Sequence, residues 1–220
     1  MHPKVLLSFA LLFCINAHSQ DIPELYAKIE NSYNNGDFES LTKLASQIET
    51  FTTNRVDTFA ANSYFYLGDS YYQLGKTEKA ITYWEKEKNL RLVLGDQNYY
   101  SISLYNLASV YLQSGQYKKA GTIADELVVI DKKVHGEDSH DFASSAISIA
   151  DIYIQVDRFR DAEKLLTAVL KKQSKNTVIY GMLLNKLGVG YWWALLIAPG
   201  AAAEDHDLLP GRARRPCSPQ

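Results

Sequence analysis

The chain has few of the residues that crosslink or bend a protein: two cysteines and six prolines among 220 residues. Cys14 lies in an apolar stretch near the N-terminus and Cys217 lies three residues before Gln220, so removal of the first segment would leave a single thiol. A single thiol excludes an internal disulfide, a zinc knuckle and a thiol redox motif. The fold must therefore be held together by burial.

Blocks of like charge are also scarce. The formal net charge is -2, and before the last ten residues the basic side chains form only isolated pairs. Proteins that bind nucleic acid normally carry a clustered basic excess. We therefore expect no nucleic acid among the main partners.

No apolar run is long enough for a permanent membrane span, which needs about 20 residues. Residues 5–17 are mostly apolar, follow Lys4 and end in Ala17-x-Ser19, the pattern of a secretory signal with a small-residue cleavage site. A buried N-terminal helix is the alternative, and lipid attachment at Cys14 is disfavoured because Phe13 precedes it. The sequence predicts a signal peptide at 1–19 and a protein exported to the periplasm or outside the cell.

What the chain does contain is a repeat. LGDSYYQLGKTEKA at 67–80 returns as LASVYLQSGQYKKA at 107–120 and as IADIYIQVDRFRDA at 149–162. Apolar residues at i and i+4 around a small residue form one helix face, and Gly or Asp at the turn tolerates the left-handed conformation that ends a helix. Small residues on both segments let the two helix axes approach closely. Each copy is therefore predicted to be a helix-turn-helix hairpin.

The repeat resembles the tetratricopeptide repeat (TPR), whose pattern has an aromatic, Leu-Gly and Tyr on the first helix and Ala and an aromatic on the second. The matching residues of the second copy are Tyr64, Leu67, Gly68, Tyr71, Ala80 and Trp84. A weaker copy at 34–45 has Leu41 in place of the Ala, which suits a terminal cap, and a further copy opens as LGVGYW at 187–192. The resemblance implies an all-α, right-handed superhelical solenoid of antiparallel helix hairpins, with a capping hairpin at 20–56 and a TPR array at 57–191 that ends in a half repeat.

The small-residue column recurs after 40, 42 and 38 residues, from Gly68 to Ala108, Ala150 and Gly188. These intervals exceed the 34 residues of the standard unit. The longer spacing, together with the linker VHGEDSHDFA at 134–143, is similar to the kinesin-light-chain type of repeat. The extra residues are expected to lengthen the second helix and the link to the next hairpin.

The composition changes abruptly after residue 191, where Pro, Ala, Gly and Arg replace the Tyr, Asn, Ile and Lys that dominate upstream. We favour the hypothesis that residues 192–220 lie outside the ancestral reading frame, because the repeat is interrupted within a hairpin. The alternative is a genuine disordered extension, which such a composition permits. Either way, 192–220 is predicted to be an aberrant or disordered tail.

Signatures of catalysis are missing: the chain has no Gly-rich phosphate loop, nucleophile elbow or His-Glu-x-x-His motif. Ser40-x-x-Lys43 lacks the companion motifs of a serine acyl-enzyme. The His, Asp and Glu residues at 135–141 lie in a linker, where no fixed face directs three or four ligands to one point. We predict no catalytic residue, metal site or cofactor.

The resemblance to TPR arrays implies that the first helices line a concave groove. The residues that correspond to groove positions are Tyr26, Glu30, Tyr33, Asn62, Phe65, Asp69, Tyr72, Ile102, Tyr105, Ser109, Leu112, Ser144, Ile147, Asp151 and Ile154. Aromatic side chains favour binding hot spots, and Glu30, Asp69 and Asp151 share one column that would form a negative stripe. The expected ligand is an extended or helical peptide with apolar anchors and basic residues. The alternative is that several of these aromatics pack between neighbouring hairpins.

The function predicted from the sequence is a non-enzymatic, exported scaffold that binds a protein or peptide. The rival hypothesis is an N-terminal sensor region of a larger signalling protein, because exported arrays of this spacing resemble the regions that precede a histidine kinase or a caspase-like protease. A third class, a structural assembly protein, would self-associate without a ligand. The sequence leaves the oligomeric state open.

Overall fold

The computed structural model describes residues 22–197, with side chains described as far as residue 190. This part of the chain is all-helical and has no strand. Residues 22–34 form α1. The helices that follow are α2 Phe38–Lys43, α3 Ala45–Thr52, α4 Thr58–Gln73, α5 Thr77–Leu94, α6 Gln97–Gln113, α7 Tyr117–His135, α8 His140–Gln155, α9 Phe159–Leu170 and α10 Val178–Ile197. The all-α prediction is confirmed.

The turns within the hairpins have one repeated geometry. Gly75, Gly115 and Asp157 all have positive φ, at 68°, 70° and 61°. The amide that follows each of them reaches back to the carbonyl of the repeated Tyr, as when Lys76 N donates to Tyr71 O at 2.8 Å. This bond satisfies a carbonyl that the helix end leaves free. The turn predicted from the three aligned copies is thus confirmed.

Short polar side chains begin the first helices of the hairpins. Asp57 caps α4 by accepting from Ala60 N at 2.9 Å, and Ser139 caps α8 by accepting from Phe142 N at 2.9 Å. Such caps satisfy amides that have no partner inside the helix and typically contribute about 1 kcal/mol. They fix where each new hairpin starts.

The two helices of a hairpin pack through the small-residue columns. Gly68 on α4 lies against the indole of Trp84 on α5, and Trp84 is only 2% exposed. Ala80 on α5, at the column of the second-helix alanine, is fully buried. Small side chains on both helices let large neighbours fill the space between the axes without a cavity.

The chain divides into two compact units after Val134. In the N-terminal unit, α2 and α3 pack against α4, α4 packs against α5, and α5 packs against α6. Helices α6 and α7 are joined by side-chain hydrogen bonds, including one from Tyr105 Oη to Asp131 Oδ2 at 2.8 Å. In the C-terminal unit, α8 packs against α9, and α10 packs against both. Each unit is built from antiparallel helices that follow one another in sequence.

Three features differ from the simplest reading of the repeat. The second helix of the first hairpin is interrupted at Leu44 and forms the two short helices α2 and α3. The long spacing lengthens α5 and α7 to 18 and 19 residues as expected, but α9 has only 12 residues and the extra length lies in the link at 171–177. Helix α10 continues past residue 191 to Ile197. In the three aligned copies the turn residue follows the small-residue column by seven positions, which would place a turn at residue 195 here.

The predicted signal peptide at 1–19 lies outside the described residues, as does the part of the predicted tail from 198 to 220. Residues 192–197, which were assigned to that tail, belong to α10. Within residues 22–197, no helix is both long enough and apolar enough to cross a membrane.

Candidate functional site

Helices α1 and α4 are joined by two side-chain hydrogen bonds between residues that the sequence placed in the groove. Tyr33 Oη donates to Asp69 Oδ2 at 2.9 Å, and Asn62 Nδ2 donates to Tyr26 Oη at 2.9 Å. All four side chains are half-buried. The first helices of two successive hairpins therefore present these positions on one shared face.

A cluster of aromatic rings fills the space between these two hydrogen bonds. The ring of Tyr33 lies 4.7 Å from that of Tyr66 and 6.3 Å from that of Phe65, measured between centroids. The ring of Tyr26 lies 6.5 Å from Tyr66 and 5.8 Å from Phe59. Tilted rings at these separations attract one another beyond their burial. The rings thus pack between hairpins and also remain half-exposed.

Two phenols of this cluster, those of Tyr33 and Tyr66, are held in their neutral form. Burial, followed by the hydrogen bond to Asp69, raises the pKa of Tyr33 to about 12. Burial, followed by the neighbouring Tyr26, raises the pKa of Tyr66 to about 12, and the charge of Glu30 adds to this effect. The face therefore offers the neutral hydroxyl groups of Tyr33 and Tyr66 at physiological pH.

The third copy extends the face along α6 with less aromatic character. Ile102 is 45% exposed, Ser109 is exposed, and Leu112 is half-buried. Tyr105 bonds the buried Asp131 on α7, so part of its side chain holds its own hairpin together. Tyr72 on α4 accepts a hydrogen bond from Gln113 on α6. This bond joins the first helix of the second hairpin to the first helix of the third.

The groove residues of the fourth copy lie on α8 in the C-terminal unit. Ser144 is exposed, Ile147 is only 9% exposed, and Ile154 is half-buried. Asp151 accepts a hydrogen bond from Lys186 Nζ on α10 at 2.6 Å. The acid predicted to extend a negative stripe therefore has a cation beside it, while Asp69 faces a neutral phenol.

We name the positions on the N-terminal unit the first-helix face: Tyr26, Glu30, Tyr33, Asn62, Phe65, Tyr66, Asp69, Tyr72, Ile102, Tyr105, Ser109 and Leu112. Tyr66 was missed by the sequence reasoning, although it follows Asn62 by four residues and so lies on the same side of α4. That i, i+4 spacing is the signal that could have identified it.

Buried charges behind this face were also missed. Arg91 on α5 donates to Asn62 Oδ1 at 2.8 Å and to Glu87 Oε1 at 3.3 Å. Arg91 is 2% exposed and Glu87 is fully buried. Burial raises the pKa of Glu87 to about 7, against the opposing effect of Arg91. Arg91, which also bonds Glu87, holds the Asn62 side chain and so helps to orient Tyr26.

The acidic cluster at 135–141, which the sequence analysis placed in a linker, forms ion pairs with the link between α9 and α10. Lys172 Nζ lies 3.1 Å from Glu137 Oε2 and 2.9 Å from Asp138 Oδ1. Ser139 caps α8. These contacts fix the entry to the fourth hairpin.

A family profile described as tetratricopeptide repeat matches residues 57–126 and 99–174, which together cover more than half of the chain. The chain belongs to the tetratricopeptide repeat family. A search of curated protein sequences gave no significant match.

Solved TPR structures share the fold. The nearly identical TPR-like repeats of a protein from Podosopora anserina assigned as a kinesin light chain superpose with a TM-score of 0.64 at 16% identity, over 80% of this chain and 88% of that one. The structure of BtubC (BKLC) from P. vanneervenii gives a TM-score of 0.53 at 16% identity, over 93% and 98% of the two chains. The predicted kinesin-light-chain-like TPR architecture is therefore confirmed at the level of the fold.

Proposed function

We propose that this TPR scaffold binds a peptide on its first-helix face, and that the peptide carries an apolar anchor and a basic residue. The observation that supports this most directly is the half-exposed aromatic cluster bordered by Asp69. Rigid aromatic side chains supply contact area at low entropic cost and are enriched in binding hot spots. TPR repeats generally mediate interactions with proteins, and this face is the part of the scaffold best suited to that role.

The acidic side chains give the proposed ligand its charge. Asp69 and Glu30 both lie half-buried on the N-terminal unit, and Asp69 bonds a neutral phenol instead of a cation. A carboxylate in such partly desolvated surroundings attracts an arginine or lysine more strongly than one in bulk water. The apolar anchor would contact Phe65 and Tyr66 beside it.

The test is a peptide selection against the full chain, followed by calorimetric titration of the selected peptide. We expect selected sequences to combine an aromatic or aliphatic residue with Lys or Arg. Asp69→Lys should weaken binding at least tenfold, because it places a like charge against the basic residue. Asp69→Asn, which retains the shape of the side chain, should give an intermediate loss.

Glu78→Lys is the matched control, since Glu78 is an exposed acid on the second helix α5. It changes the net charge by the same amount and should alter affinity by less than twofold. Equal losses in the Asp69 and Glu78 variants would mean that overall charge attracts the ligand, and unchanged affinity in Asp69→Lys would refute the first-helix face as the site. Circular dichroism of each variant shows whether its fold is retained.

Export is proposed as well, on the basis of the segment at 1–19. Fusion of residues 1–25 to a reporter that is active only outside the cytoplasm should give activity, and Leu6→Glu with Leu7→Glu should abolish it by breaking the apolar run. Reporter activity that survives both substitutions would contradict a signal peptide.

A further inference from the structure

Helix α10 has a face that the described residues leave uncovered. Gly181, Leu184 and Gly188 recur at i, i+3 and i+7 and so lie on one side of the helix. Leu184 is 40% exposed, and outside the helix's own backbone no atom of the residues with described side chains comes within 4 Å of a Cβ built on either glycine. We call these three residues the terminal face. The opposite side of α10 carries Ile179 and Leu183, which are 7% and 0% exposed.

The same positions are covered in the first helices α4, α6 and α8. The counterparts of Leu184 are Tyr64, Leu104 and Ala146, which are 9%, 0% and 0% exposed. The counterparts of Gly181 are Ala61, Ser101 and Ala143, which are 0%, 6% and 0% exposed. Helix α5 packs on α4 and helix α9 packs on α8, each as the second helix of its hairpin. The terminal face thus corresponds to the surface that, in the other hairpins, is covered by the second helix.

The residue sizes in these hairpins indicate which kind of helix fits. Gly68 is the small residue on α4, and the buried indole of Trp84 on α5 occupies the space that a Cβ would take, only 2.5 Å from that position. Where the small residue is Ala108 or Ala150, the position of Trp84 is held by Ala124 or Leu166. Glycine therefore accompanies a large aromatic partner, and alanine accompanies a smaller one. Helix α10 has glycine.

We propose that the terminal face binds an amphipathic helix of a second polypeptide, and that this helix carries an alanine followed four residues later by a large aromatic side chain. Ala80 and Trp84 on α5 show this arrangement. The aromatic ring would lie on the backbone at Gly188 and the alanine would lie close to the α10 axis. Residues 198–220 contain no Phe, Tyr or Trp, so they do not supply such a ring.

A peptide taken from the chain itself is a suitable probe. The sequence 76–95 contains α5 with both of its ends, and it can be labelled at the N-terminus and titrated with the full 220-residue chain while fluorescence anisotropy is recorded. We expect saturable binding. The peptide with Trp84→Ala should bind at least tenfold more weakly, because it lacks the ring.

Substitutions in the protein locate the binding. Gly188→Ala should weaken the Trp84 peptide at least tenfold and leave the Trp84→Ala peptide within twofold, since only the indole meets the new Cβ. Met182→Ala is the control, because Met182 is 49% exposed on α10 and lies outside the terminal face. In the aligned copies it corresponds to Asn62, which is a groove residue. This variant should bind like the original chain.

Three results would overturn the proposal. One is the absence of saturable binding by the Trp84 peptide. Another is equal binding by the original chain and Gly188→Ala, which would mean that the peptide displaces α5 at Gly68 or attaches elsewhere. The third is binding that occurs only after residues 198–220 are deleted, because the chain would then cover its own terminal face.

Discussion

The indole of Trp84 lies directly over Gly68, so closely that a Cβ built on Gly68 would be 2.5 Å from Trp84 Cδ1 and 2.6 Å from Trp84 Nε1. This contact sets the distance between α4 and α5. It also explains why the most complete copy of the repeat has the smallest residue at this column.

Gly68→Ala should therefore destabilise the protein. The indole is rigid and buried, and forcing an extra methyl group into a packed core costs about 1–3 kcal/mol, from which the better helix propensity of alanine recovers at most about 1 kcal/mol. Gly188→Ala is the matched control at the same column, where none of the described side chains lies within 4 Å of the Cβ. Urea unfolding followed by circular dichroism should give a lower midpoint for the first variant and an equal or higher one for the second. A higher midpoint for Gly68→Ala would contradict this packing.

Glu87→Gln should make the protein less sensitive to pH. Burial raises the pKa of Glu87 from its ordinary 4.5 to about 7, so the folded state binds a proton that the unfolded chain releases. The stability this contributes is fully present below about pH 4.5 and is lost as pH rises through about 7. Glutamine carries no charge to bury, so the variant should lose less stability between these values, by roughly 2–3 kcal/mol.

The measurement is the free energy of unfolding of both chains from pH 4.5 to pH 8. Glu78→Gln, at an exposed position on the same helix, is the control and should follow the original chain. Parallel curves for Glu87→Gln and the original chain would mean that the Glu87 carboxylate is stabilised by Arg91 strongly enough to ionise normally.

The sequence predicts that Asp151 takes part in ligand recognition. On that basis, Lys186→Met should strengthen the binding of a basic ligand to the C-terminal unit. Lys186 Nζ lies 2.6 Å from Asp151 Oδ1 and offsets its charge. The pair is partly exposed, so its loss should lower stability by at most about 1 kcal/mol. Calorimetric titration with a basic peptide that binds the C-terminal unit should show higher affinity. Unchanged affinity would place Asp151 outside the binding site.

The sequence was informative wherever the same physical requirement recurs in every copy. Gly75, Gly115 and Asp157 occupy the one left-handed position of each turn. Alignment of the copies reveals that this position needs a residue that tolerates positive φ, even though the residue changes from Gly to Asp. The Tyr column that bonds back across the turn is visible for the same reason. These positions fixed the hairpins and the fold family.

Features confined to one copy could not be predicted in this way. Glu87 and Arg91 stand at i, i+4, a spacing that on most helices marks an exposed ion pair. Here both are buried, because α5 packs against α4 and α6, and the guanidinium donates a hydrogen bond to Asn62 on α4. The interruption at Leu44 and the short α9 likewise occur in one copy each and have no counterpart in the other copies.

The groove residues were predicted from their positions in the aligned copies. Their hydrogen-bond partners could not be predicted in this way. Tyr33 and Asp69 are separated by 36 residues, and their hydrogen bond depends on how two hairpins stack. Lys186 approaches Asp151 because α10 packs on α8, which the interrupted fifth copy did not indicate.

The most direct test of peptide binding on the first-helix face is site-specific photocrosslinking. A photoreactive phenylalanine at Phe65, in the aromatic cluster, and another at Val93, which is 71% exposed on the second helix α5, would each be irradiated with the selected peptide. Crosslinking at position 65, reduced by excess unlabelled peptide and absent at position 93, is the predicted result. Crosslinking at position 93 with none at position 65 would contradict the proposed site.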